Sequence, residues 1–203
     1  MSADWETLRT ACGQCRRCPL GATRTNSVFG VGNPDADILF VGEGPGEQED
    51  LKGEPFVGKA GQLLDKMLAC ISLSRDENVY IANIVKCRPP HNRDPLPEER
   101  MACLPFLREQ TKLLRPKIIV CLGKVAATTL IDPNFSIMRS HGVWYERKGF
   151  WLTATFHPAA LLRNENLKRD AYKDLLSIRA KYDELTKKEP PEESDGKKEE
   201  TEK

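Results

Sequence analysis

What this chain of 203 residues has little of narrows its possibilities first. No apolar run approaches the ~20 residues that a membrane-spanning helix needs. The polar start MSADWETLRTAC has no secretory hydrophobic core, so a cytoplasmic protein without membrane attachment is expected. Charge of one sign is missing too: 31 basic and 30 acidic residues leave a net charge of +1. That excludes the strongly basic composition which would by itself demand a polyanionic partner. The balance hides an asymmetry. Residues 183–203 hold nine acids and five bases, which leaves 26 bases and 21 acids, a net +5, on residues 1–182. Such a mildly basic body is compatible with nucleic acid without requiring it. Internal repeats are absent, and histidine is scarce, with only three in the chain.

What is present points to one domain over residues 1–185, followed by a charged tail, residues 186–203, whose Lys, Glu, Pro, Ser and Gly predict disorder. Residues 37–41 (DILFV) read as a buried strand that stops in the turn GEGPGEQED, residues 42–50. Glu43, Glu47, Glu49 and Asp50 crowd this strand exit, where open α/β sheets place their ligands. A loop over residues 52–61 (KGEPFVGKAG) presents Phe56, and residues 60–71 have apolar positions at helical spacing. Residues 79–85 (VYIANIV) form a second expected strand, with Asn83 near its exit. The proline-rich segment 88–97 cannot be regular structure, and Pro97, Glu98 and Glu99 open a long helix to about residue 114. Further strands are expected at 117–122 and 150–156, with 144–149 a hairpin arm or connector. Between them a short helix covers 124–131; a loop at 159–164 and a last helix at 167–185 follow. Strands alternating with helices predict an α/β fold with a mostly parallel, four-stranded sheet covered on both faces. The polar ends of its strands then gather Glu43, Asn83 and His157 on one edge.

Seven cysteines in a cytosolic chain suit metal or cluster ligation better than a disulfide framework. Cys70 and Cys121, inside an apolar helix and strand, read as buried hydrophobes. Cys12, Cys15 and Cys18 are spaced C-x-x-C-x-x-C, while Cys87 ends a strand and Cys103 lies in a helix. One local pair plus two distant cysteines fits a four-thiolate site for zinc or an iron–sulfur cluster. Spacing alone leaves open both the metal and which local pair contributes.

Four strings agree on one family. GEGPGEQED, GEPFVGKAGQLLD, NIVKCRPPHNRDPLP and HPAALLRN, in that order, resemble the family 4 uracil-DNA glycosylases, the iron–sulfur members of their superfamily. The resemblance runs from about Cys15 to the final helix. It implies a three-layer α/β/α sandwich and a [4Fe–4S] cluster held by Cys15, Cys18, Cys87 and Cys103, with Cys12 an extra thiol. The implied reaction is hydrolysis of the N-glycosidic bond of a uracil flipped out of single- or double-stranded DNA. The resemblance also implies roles. Phe56 stacks on the uracil, Asn83 reads its O4 and N3–H, and backbone N–H groups around Gly42 and Gly44 complete the pocket. His157 stabilises charge gathering on O2, and Glu43 positions the water. Glu43 stands where the superfamily's best-known branch has Asp. Leu161 or Leu162 fills the gap left in the duplex, and Lys86, Arg88, Arg93 and Arg163 contact phosphates. A monomer is expected. Two rivals remain: a uracil-trapping branch, which has Gln where this chain has Gly44, and a cluster-bearing DNA-binding scaffold without catalysis.

Overall fold

A computed structural model describes residues 4–147 and 149–186. In chain order its elements are α1 (Trp5–Gly13), α2 (Leu20–Thr23), β1 (Val31–Gly32), β2 (Ile38–Gly42), α3 (Glu47–Lys52), α4 (Lys59–Ala69) and β3 (Val79–Asn83). Then come α5 (Pro97–Leu114), β4 (Ile118–Leu122), α6 (Lys124–Leu130), α7 (Ile137–Ser140), β5 (Tyr145–Arg147), β6 (Phe150–Thr155), α8 (Pro158–Arg163) and α9 (Lys168–Thr186). Short 3₁₀ turns occupy Pro90–Asn92 and Glu165–Leu167.

The strands form one sheet in the order β1-β3-β2-β4-β6-β5. The four inner strands are parallel, as alternation with helices requires; β2, β3 and β4 are buried throughout and β6 over its last four residues. Successive side chains go to opposite layers. Leu39, Val41, Tyr80, Ala82, Ile119 and Cys121 pack toward α1 and α5 (Leu8, Cys12, Leu104, Leu107). Ile38, Phe40, Val79, Ile81, Ile118 and Val120 pack toward α4 and α9 (Leu64, Leu68, Leu175, Ile178). The result is the expected three-layer α/β/α arrangement.

The sheet has six strands rather than four. The two additions are edge strands of two and three residues, β1 antiparallel to β3 and β5 antiparallel to β6. Segments that short carry no periodicity, and brief edges are a common way to stop a sheet from growing. Three local expectations also change. The acidic turn continues into α3, residues 159–164 are largely the helix α8 rather than a loop, and Cys70 at the end of α4 is exposed. Cys121 is buried as expected. The tail expected to be disordered lies outside the described residues from position 187 on. Among the described residues, no helix is long and apolar enough to cross a membrane.

The chain runs from β2 to β3 on one side, then by way of α5 to β4 on the other side of β2. The carboxyl ends of β2 and β4 therefore face a crevice where successive connections diverge, the usual ligand position in such sheets.

Beside this crevice one buried polar cluster ties α7, β6 and α9 together. Asp174, only 5 % exposed, accepts a hydrogen bond from Thr155 Oγ1 at 2.7 Å and pairs with His141 Nδ1 at 2.9 Å. Asp174→Ala leaves both partners without their acceptor, so it is expected to lower unfolding free energy by about 1–3 kcal/mol. Chemical denaturation with an unchanged slope and a lower midpoint would show this.

Candidate active site

A cavity of about 540 Å³ opens at the carboxyl edge of the sheet, lined by the ends of all four parallel strands. Glu43 and Gly44 follow β2, Asn83 ends β3, Gly123 follows β4 and His157 follows β6. The sequence expectation that Glu43, Asn83 and His157 converge is met.

Register explains how the cavity floor is made. Gly42 and Asn83 are direct partners across the β2–β3 pairing. A Cβ on Gly42 would collide with Asn83 Oδ1 and lie 2.7 Å from the Phe56 ring. Only a residue without a side chain lets both groups occupy that space. Asn83 is 2 % exposed, and its Oδ1 is a buried acceptor with no hydrogen-bond partner. A buried polar atom without a partner costs stability, so such an atom at a cavity marks a place for an incoming donor.

Phe56 is not exposed as the sequence suggested. It is 6 % exposed, forms a cavity wall, and lies with its ring 5.5 Å from that of His157, tilted by 32°. Its backbone has φ of 55°, a left-handed conformation unfavourable for an aromatic residue. Two side chains hold it there. Glu49 Oε1 accepts from the N–H groups of Val57 (2.9 Å) and Gly58 (2.8 Å). Arg75, paired with Asp65 at 2.6 Å, donates to the carbonyls of Pro55 (3.2 Å) and Phe56 (3.1 Å). Gly61 in α4 lets the helix press on the Phe56 backbone, with no room for a Cβ. Arg75 was invisible in the sequence, because nothing local distinguishes it from a surface arginine.

The four acids of the first turn divide their work. Only Glu43 and Glu49 line the cavity. Asp50, 4 % exposed, accepts from the backbone of Thr25 (3.0 Å) and Asn26 (3.3 Å), while Glu47 faces Arg88 at 3.4 Å. Burial pushes the Glu43 carboxyl up to about 7, helped by the negative charge of Asp94; Arg100 and Arg163 oppose the shift.

His157 is held neutral. Burial foremost, and then the charge of Arg163, lower its pKa to about 4 against an opposing pull from Glu49. Its Nδ1 accepts a hydrogen bond from the Ala159 N–H at 3.1 Å. A neutral imidazole that accepts at Nδ1 carries its proton on Nε2, so the ring offers a donor there.

Among the expected phosphate contacts, Arg163 is exposed at the cavity rim. Arg88 is half-buried and donates to Asn92 Oδ1 at 2.8 Å. Two expectations fail. Lys86 is 1 % exposed, and its Nζ donates inward to the Asn83 carbonyl at 2.9 Å, so it cannot reach a phosphate. Arg93 is occupied by Glu99 through two bonds of 2.8 and 2.7 Å and by the Asp94 carbonyl at 2.9 Å, which makes it a clamp. The helical phase of α8 separates the two leucines: Leu161 is 2 % exposed in the core, while Leu162 is 47 % exposed. Of the two leucines expected to act as a wedge, only Leu162 is exposed. Lys124, which also lines the cavity, went unremarked in the sequence.

A second, small pocket gathers Cys12, Cys15, Cys18, Cys87 and Cys103 with Arg17, Arg24 and Lys86. Arg24 Nη1 donates to Cys87 Sγ at 3.0 Å, and the Lys86 N–H donates to Cys103 Sγ at 3.2 Å. The distant cysteines of the sequence are thus neighbours; burial pushes the Cys12, Cys87 and Cys103 thiols up, and the charges of Lys86 and Arg24 oppose that shift. Among the described residues no three His, Cys, Asp or Glu side chains converge closely enough for a single metal ion.

The model of the uracil DNA glycosylase superfamily matches residues 29–177, which include the cavity residues and two of the pocket cysteines. The chain is similar to the type-4 uracil-DNA glycosylase of Archaeoglobus fulgidus, with 51% identity over 172 residues, 81% of this chain and 86% of that protein. It is 47% identical over 168 residues to the type-4 uracil-DNA glycosylase of Thermotoga maritima, covering 80% and 86%. A type-5 uracil-DNA glycosylase of Pyrobaculum aerophilum is more distant, at 34% over 146 residues and 64% of each chain. The convergence of four strand ends on one cavity, the cysteine pocket beside it and these similarities agree: the chain belongs to the type-4 uracil-DNA glycosylases of the uracil DNA glycosylase superfamily.

Proposed function

We propose that the chain removes uracil from DNA by hydrolysing its N-glycosidic bond, with the cavity at the sheet edge as the site for the flipped base. The observation that carries this reading is the unpartnered Asn83 Oδ1 at the cavity. Uracil N3–H is the donor such an acceptor lacks, and the Asn83 amide N–H can serve uracil O4. Cytosine reverses both groups, so it would leave the buried amide mismatched at a cost of the order that gives strong discrimination. Phe56 supplies an aromatic wall for stacking. His157, neutral with Nε2–H available, donates to O2, where charge collects as the bond breaks. A hydrogen bond that strengthens in the transition state accelerates the step. Glu43 orients the water that attacks C1′. The electron pair of the broken bond leaves on uracil N1, and the proton of the water passes to carboxylate.

Leu162 and Arg163 support a duplex-facing role for α8, the first as a wedge where the base was and the second at the phosphates. We propose further that Cys15, Cys18, Cys87 and Cys103 hold a [4Fe–4S] cluster. The donor set fits: thiols ringing a pocket, with Arg24 and a buried Lys86 to offset anionic charge. Bound there, the cluster would cross-link the segment after α1 to the segment after β3 and to α5.

Incubation with a uracil-containing oligonucleotide, followed by alkali and a denaturing gel, tests the reading. Strand cleavage at uracil is expected; an iron-loaded, folded protein that gives none overturns it, and a covalent adduct would instead favour the uracil-trapping branch. Asn83→Ala and His157→Ala are each expected to lower the single-turnover rate by about 10²–10³. Because His157 is neutral above about pH 4, the His157→Ala profile should lie lower at every pH from 5 to 8 with no inflection removed. Leu162→Ala should slow excision from duplex more than from single-stranded DNA, measured as the ratio of the two rates. Cys87→Ala or Cys103→Ala should abolish iron and acid-labile sulfide and lower the melting temperature, whereas Cys12→Ala should retain both metal and brown colour.

A further inference from the structure

The cavity and the cysteine pocket meet at one buried charge. Lys86 is 1 % exposed, lines the cysteine pocket and donates from Nζ to the Asn83 carbonyl at 2.9 Å. Burying an ammonium is costly unless partners replace its water, so a lysine in such a place needs them. The anionic groups that act on it are Cys103 and Cys12, with no carboxylate among them. Its main chain is fixed as well. The Lys86 N–H donates to Cys103 Sγ at 3.2 Å, and the Lys86 carbonyl accepts from the Val28 N–H at 2.8 Å.

On the cavity side, the lysine's bond falls where it decides the aim of Asn83. Asn83 Oδ1 has no partner, so no hydrogen bond holds that end of the amide. Its direction comes from the backbone that carries it and from the fit against Gly42 and Phe56. The peptide unit after Asn83 is gripped at both ends: the Ile84 N–H donates to the Gly42 carbonyl at 2.9 Å, and the Asn83 carbonyl accepts from Lys86. A planar unit held at its N–H and its C=O is not free to rotate, and the side chain before it is aimed accordingly.

We propose that Lys86 is a positioning residue for Asn83, its ammonium shared between the Asn83 carbonyl and the thiolates of the cysteine pocket, so that the occupied pocket steadies the amide that reads the base. This rests on the uracil-excision reading and on the cluster proposed with it. With thiolates opposite, the buried charge is compensated and stays on the carbonyl. A neutral side chain in its place would release one end of the peptide unit. Lys86 reaches neither the base nor a phosphate and acts only through Asn83.

The test is a double-mutant cycle on the iron-loaded full chain: wild type, Lys86→Met, Asn83→Ala and the double variant, read by single-turnover uracil excision from single-stranded DNA. Lys86→Met keeps most of the side chain's length and removes its charge and its donor. It is expected to retain iron and acid-labile sulfide and to slow excision by about ten- to a hundredfold, the order of loss that a displaced group at a site causes. In the Asn83→Ala background the same change should cost under about twofold, since a residue acting through Asn83 has nothing left to act on. Equal losses in both backgrounds overturn the positioning role. The second measurement is magnetic resonance of the wild type with its lysines isotopically labelled at Nζ. Lys86 is the lysine of the cysteine pocket. One ammonium signal should therefore exchange slowly with water and carry the shift that a neighbouring iron–sulfur cluster imposes. Ammonium signals that all exchange fast and lie at ordinary shifts overturn the shared ammonium, even where Lys86→Met fails to fold or to hold iron. This readout needs no catalysis: its presence in a protein that leaves uracil in place overturns only the excision reading.

Discussion

The cavity depends on one missing side chain. Gly42 sits in register beside Asn83 on the neighbouring strand, and the space its Cβ would fill is taken by the Asn83 amide and the Phe56 ring. Three elements converge there: β2 contributes the gap, β3 the amide, and the turn before α4 the ring. The ring stays in place because its strained backbone is held from both sides, by Glu49 on the following N–H groups and by Arg75 on the carbonyls. Strain of this kind persists only where the surroundings over-determine it. A rigid floor also suits recognition, since an unpartnered acceptor discriminates only if it cannot move off to find water.

The ionisable groups around this floor are shifted in opposite senses by the same cause. Burial lowers His157 to about 4 and raises Glu43 to about 7. Near neutral pH the imidazole is an uncharged donor, while the carboxyl stands close to its midpoint. An enclosed carboxyl with a raised pKa holds a proton better than an exposed one, and a neutral imidazole need not be stripped of an ion's hydration to meet a base. At neutral pH the cavity thus offers an uncharged donor from His157 and a carboxyl near its midpoint from Glu43.

How much of this was legible in the sequence follows from where the determining contacts lie. The four parallel strands were legible because apolar runs between turns have few other uses, and their ends fixed the neighbourhood of Glu43, Asn83 and His157. Of the edge strands, β5 falls within the hairpin arm offered at 144–149, whereas β1, only two residues long, was not legible. Lys86 was misread because a lysine beside Cys87 and Arg88 looks like surface charge, whereas its burial is decided by the neighbouring carbonyl of Asn83 and by α5. Leu161 and Leu162 could be told apart only by the phase of a helix that the sequence suggested was a loop. Arg93 resembled a phosphate ligand because its partner, Glu99, was read only as a helix-start signal. Arg75 and Glu49 act across loops, and no local pattern encodes such partners.

Helix α5 has a further meaning when its first turns are considered as one body. Glu99, which grips Arg93 and the Leu96 N–H, and Cys103, which faces the thiol pocket, are four residues apart, hence on the same face of the same helix. The segment between Cys87 and Cys103 is therefore a closed loop anchored at both feet in the cysteine pocket, with Asp94 near its apex at the cavity. A change that loosens the feet therefore reaches the cavity rim through about one helical turn. One helix makes the cysteine pocket and that rim a single mechanical unit.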